Sequence, residues 1–116
     1  MNNIEILIKL LSAYKFSLNT EDELKLQMAK VLDDNQIPYI KEHRLDAKNR
    51  VDFFIYEHAI EVKVKGGAKK IFRQCERYCG FDTVKGLVLV TNKSMGFPEM
   101  VNGKPCYVMS LGKSWL

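Results

Sequence analysis

The chain has 116 residues, 47% of them hydrophobic and 28% charged, with a net charge of +4. This composition excludes a disordered tail, and the length fits one domain, residues 1–116, with one ordinary core. No apolar run approaches a membrane span, and the modest positive balance suits a polyanionic partner as well as it suits plain solubility.

Residues 4–14 have the spacing of an amphipathic helix, with Ile4, Leu7, Ile8 and Leu11 on one stripe. A second helix is predicted from Thr20, which can cap it, with Glu23 completing a capping box. Leu24, Met28, Val31 and Leu32 give that helix its buried face, and it should end near Asp34–Asn35, ahead of Pro38. Strands are then expected at Tyr39–Leu45, Arg50–Tyr56 and Ala59–Lys65, the last two joined as a hairpin through Glu57–His58. Gly66–Gly67 breaks the third strand, and a helix follows from Ala68 to Cys79, ending at Gly80. Gly86–Thr91 is a continuous apolar run, the mark of a strand buried on both faces. Residues 92–104 read as loop, and Pro105–Met109 as a final strand. The order α, α, β, β, β, α, β, β implies an α/β domain with a mixed central sheet flanked by helices.

Cys75, Cys79 and Cys106 make an odd count without a secretion signal, which points to a reducing compartment, the cytoplasm. Cys75 and Cys79 share a helical stripe and read as small buried hydrophobes rather than metal ligands.

The chemistry-bearing residues lie around the third strand. Glu61 and Lys63, two apart, point to the same face, while Ile60, Val62 and Val64 point to the other. Two charges on a central strand need a partner, because unpaired buried charge is costly. Asp52 opens the preceding strand, and the hairpin would bring it beside Glu61. Adjacent carboxylates raise each other's pKa unless a cation separates them, and hard divalent cations favour such an oxygen environment. The plain structural alternative is an Asp52–Lys63 or Glu61–Lys63 ion pair across a half-exposed sheet.

Asp52, eight intervening residues, then Glu61-Val62-Lys63 resembles the signature of the PD-(D/E)XK nuclease superfamily. Val51 stands where the family carries its leading proline, a residue many members lack. The resemblance spans residues 20–91 and implies a restriction-endonuclease-like α-β-β-β-α-β core. It also implies magnesium or manganese held by Asp52, Glu61 and the carbonyl of Val62, with Lys63 as the catalytic lysine. Glu21-Asp22-Glu23-Leu24 is similar to the E-x-E-L pattern that opens the first core helix of archaeal Holliday-junction resolvases, which implies Glu21 as a further metal ligand. A first-turn acid favoured by the helix dipole explains Glu21 equally well. Gln74 and Tyr78 resemble the Q-x-x-x-Y motif of RecB-type nuclease domains, which implies support for the site or substrate; a surface glutamine and a packed tyrosine are the alternative.

From Lys63 to Arg77 the chain carries Lys65, Lys69, Lys70 and Arg73 against the single acid Glu76. Lys69, Arg73 and Arg77 form one i+4 stripe that could follow a phosphate backbone, although solvated stripes of this kind are common. No base-reading motif is visible, so recognition of nucleic-acid structure rather than sequence is expected. Glu42 ranks below Glu21 as an approach to the site, His43 and His58 have no ligand-like spacing, and Trp115 reads as a packing anchor. Together these readings point to a metal-dependent deoxyribonuclease of repair, recombination or phage DNA processing. It is expected to act as a homodimer or within a larger nucleoprotein complex. The rivals are a non-catalytic DNA-binding or assembly module on the same fold, and an RNA-directed nuclease.

Overall fold

The first helix, α1 (Asn3–Ser12), starts where Asn2 and Glu5 close a reciprocal capping box, and it buries Ile4, Leu7 and Leu11. These details come from a computed structural model that describes residues 1–111; Trp115 lies outside the described residues. Helix α2 (Glu21–Asp34) is capped by Thr20, whose hydroxyl accepts from the Glu23 amide. The strands are β1 (Ile40–Arg44), β2 (Arg50–Ile55), β3 (His58–Lys63), β4 (Gly86–Thr91), β5 (Met100–Val101) and β6 (Lys104–Ser110), with α3 (Ala68–Tyr78) between β3 and β4.

The strands form one mixed six-stranded sheet in the order β1-β2-β3-β4-β6-β5. Strands β1, β2 and β3 pair antiparallel, β4 joins β3 in parallel, β6 joins β4 in parallel, and β5 pairs antiparallel with β6. Helices α1 and α2 cover one face, packing Ile4, Leu24 and Met28 against Phe53, Ile60 and Val62. Helix α3 covers the other, packing Ile71, Cys75 and Tyr78 against Val51, Ala59 and Leu89. Each such aliphatic side chain removed from water contributes about 1.5–3 kcal/mol, so both faces need a helix cover. Every residue of β4 is buried, as its unbroken apolar run requires. Among the described residues no helix is long and apolar enough to cross a membrane.

Three expectations shift. The β2–β3 turn is Tyr56–Glu57, not Glu57–His58; both residues have positive φ, 52° and 61°, the twist that suits a two-residue hairpin. His58 therefore opens β3. Residues 92–104 are not all loop, because Met100–Val101 forms β5 and turns into β6 through Asn102–Gly103, with φ of 51° and 76°. Strand β3 ends at Lys63, so Val64 and Lys65 lie beyond it.

Candidate functional site

The regular β2–β3 ladder runs from Ile55↔His58 to Phe53↔Ile60. One step further, side chains take over from backbone. The Asp52 amide donates to Glu61 Oε1 at 3.2 Å, and the Val62 amide donates to Asp52 Oδ2 at 2.8 Å. The carboxylates thereby satisfy amides that would otherwise be left without partners at the centre of the fold.

A local irregularity makes this exchange possible. Val51 and Phe53 are two apart and would share a face in a regular strand, yet Val51 packs under α3 and Phe53 under α2. Opposite them, between the pairs Lys41↔Phe53 and His43↔Val51, Glu42 has φ of 53°. Asp52 sits at this crossing point and contacts groups from both layers: Lys25 from α2, and Glu61, which lies near Cys75 and Tyr78 of α3.

Glu61 is 3% exposed, and among the described residues only it and Thr91 are buried polar side chains. Burial, then the charge of Asp52, pushes its carboxyl up to about 8; Lys63 opposes this, with Nζ 3.6 Å from Glu61 Oε2, but does not cancel it. The long contact is why: an ammonium at this distance, itself part exposed, offsets only part of the desolvation. The structure thus brings Asp52, Glu61 and Lys63 together.

The other expected residues sort differently. Glu21 stands at the start of α2, where its Oε2 accepts from the Val64 amide at 3.4 Å. Among the described residues no three His, Cys, Asp or Glu side chains converge closely enough to form a metal-holding group, so Glu21 does not complete a triad with Asp52 and Glu61. Gln74 donates from Nε2 to the Tyr78 hydroxyl at 2.9 Å, and that hydroxyl donates to the Arg50 carbonyl at 3.0 Å. Tyr78 is buried, and burial followed by the charge of Glu61 pushes its hydroxyl up. It braces α3 against the start of β2 and presents no group to solvent.

Lys65, Lys69, Lys70, Arg73 and Arg77 are all exposed. A cavity of about 250 Å³, lined by Glu21, Lys63, Lys65, Lys70 and Gln74 among others, joins this basic surface to the end of β3. Arg77 is partly engaged, with Nε 3.3 Å from Asn49 Oδ1. The cysteines are free and buried. Burial pushes the Cys75 thiol up to about 12, which suits an inert packing residue. His43 stacks on Phe54 with ring centroids 4.4 Å apart.

Sequence reasoning missed Lys25. Its Nζ lies 3.4 Å from Asp52 Oδ1, 3.5 Å from Glu42 Oε1 and 3.6 Å from Asp22 Oδ1. Glu42 thus does approach the site, through this ammonium, and its other oxygen lies 3.4 Å from Arg50 Nε. Helical spacing places Lys25 one turn beyond Glu21, on the same side of α2, but does not say which acid across the layer it reaches.

No family model, curated protein or solved structure matches the chain.

Proposed function

We propose that the chain is a divalent-metal-dependent nuclease that hydrolyses DNA phosphodiester bonds, selecting structure rather than sequence, with a restriction-endonuclease-like core. The observation that carries this reading is the buried carboxyl of Glu61 held beside Asp52, where burial and then the charge of Asp52 push it up to about 8. A divalent ion between the two would offset the cost of burying the charged carboxylate and the repulsion from Asp52. The order α2-β1-β2-β3-α3-β4, antiparallel through β3 and parallel at β4, supports the fold that the PD-(D/E)XK resemblance implies.

The donor set fits magnesium or manganese. Such ions take one or two carboxylates and keep water and phosphate for the remaining positions, so a protein triad is not required. Asp52 and Glu61, with the carbonyl of Val62, would hold the ion, while Glu21 lines the adjoining cavity with Lys63. When bound, the ion supplies Lewis-acid polarisation of a phosphodiester. Lys63 follows Glu61 on the same strand face, so its ammonium can orient the attacking water or steady charge on the phosphate. Gln74 and Tyr78 fix α3 relative to Asp52. Lys65 and Lys70, which line the adjoining cavity, and the exposed Lys69 and Arg73 would take the flanking phosphates.

One observation favours the non-catalytic DNA-binding or assembly module. Each oxygen of Asp52 and of Glu61 already has a partner within the chain, so the network is complete as a structural brace. A cleavage panel decides between the two: labelled single strands, duplexes, flaps, four-way junctions and RNA, incubated with magnesium or manganese. Cleavage by the wild type that is lost in Asp52→Ala and Lys63→Ala supports the nuclease. Binding without cleavage in either metal supports the module.

A further inference from the structure

The oxygens of Asp52 are held unequally. Oδ2 receives the Val62 amide at 2.8 Å, a strong hydrogen bond fixed by the backbone. Among the described residues Oδ1 has only the Lys25 ammonium, at 3.4 Å, on a flexible four-carbon stem. That ammonium also faces Glu42 and Asp22, and its side chain is only 15% exposed. Three carboxylates thus lie within 3.6 Å of one ammonium. A positive charge therefore sits where the carboxylates converge, and it belongs to the chain.

We propose that Lys25 is the site's own exchangeable cation, a positioning residue that holds Asp52 Oδ1 when no divalent ion is present and yields that oxygen when one binds. This rests on the metal-dependent reading above and adds its regulation: Lys25 competes with the ion, weakens its binding and speeds its release. Releasing the ammonium costs little, because Glu42 and Asp22 remain within its reach as alternative partners. The same substitution of metal for ammonium leaves the two backbone-donated hydrogen bonds of the pair intact.

The test is Mn2+ binding without DNA, measured by electron paramagnetic resonance of the free ion, so it does not depend on catalysis. Lys25→Met should bind Mn2+ about tenfold more tightly than the wild type, since it removes one competing charge from the ligand. Lys25→Arg, which keeps the charge, should stay within about twofold of the wild type. Lys30→Met removes a charge from the exposed side of the same helix, where Lys30 pairs with Asp34, and should change nothing. If Lys25→Met is unfolded, Lys25→Gln carries the same expectation with a side chain closer in length and polarity. Equal or weaker Mn2+ binding by the neutral variants overturns the proposal and makes Lys25 a simple brace. Mn2+ binding by neither wild type nor variant overturns the metal reading, and this inference with it.

Discussion

The main-chain amide of Asp52 donates to Oε1 of Glu61 at 3.2 Å, tying a carboxyl that is 3% exposed to the residue whose charge raises its pKa. The pair is held together by backbone geometry even though its charges repel. Such an arrangement persists only if the Glu61 proton, an ammonium or a bound cation relieves the repulsion.

The pH dependence of stability follows from that pair. Glu61 has a carboxyl near 8 in the folded chain against an ordinary value of 4.5. A raised folded pKa means that the native state binds the extra proton, so stability falls as pH rises. The contribution of Glu61 is complete below about pH 4.5 and lost through about pH 8. The metal-free wild type should therefore lose unfolding free energy between these limits, by at most about 1.4 kcal/mol per pH unit, and its melting temperature should fall with it. Glu61→Gln should flatten the curve, and saturating magnesium should flatten that of the wild type. Parallel melting curves for wild type and Glu61→Gln would contradict this account.

The sequence reveals the layers more readily than the site. Hydrophobic period marks α1, α2, α3 and β4, because burial on one stripe or on both strand faces leaves a pattern in the residues themselves. The hairpin and the strand alternation that bring Asp52, Glu61 and Lys63 near one another are also legible, but the irregularity of β2 at Asp52 is not. Lys25 is not, since a lysine on a helix has no local feature that says which acid across the layer it will reach. Glu42 at positive φ is hidden for the same reason: the bend is imposed by β2 crossing between two cores, not by a glycine or asparagine in β1. The β5–β6 hairpin is a different case, as Asn102-Gly103 is a strong turn signal lying within a segment that reads as loop.

Gly86 should not tolerate alanine. A Cβ there would lie 2.7 Å from His58 Cδ2 and 2.8 Å from the Pro105 carbonyl oxygen, wedged between β3 and β6. The imidazole can swing away; the carbonyl is backbone and can move only with its strand. Gly86→Ala should cost about 1–3 kcal/mol by chemical denaturation. Adding His58→Ala should recover only part of that loss, and full recovery would mean that the strands are free to separate at this end.

Tyr78→Phe tests whether the hydroxyl braces α3 on β2. It removes the donor to Arg50 and the acceptor for Gln74 in a buried setting. The expected loss is about 1–3 kcal/mol of stability. Gln74→Ala should cost less, because Gln74 is half-buried and water can replace it at the Tyr78 hydroxyl. If the nuclease reading holds, Tyr78→Phe lowers kcat with little change in KM, since the hydroxyl acts on the placement of Asp52 rather than on the substrate.

The exposed basic face of α3 makes a prediction that survives even if no cleavage occurs. Lys69, Lys70 and Arg73 have no acidic partner in the first turns of the helix, and the only acid of α3, Glu76, comes later. If they contact phosphates, each neutral substitution should weaken DNA binding by a similar factor for every sequence tested. Each should also reduce the slope of log K against log salt by about 0.9 on duplex and about 0.7 on single strands. Lys63→Ala, deeper in the site, should alter cleavage far more than that slope. A substitution on α3 that changes sequence preference while leaving the salt slope intact would assign the residue to base contact instead, and the structure-selective reading would fail at that position.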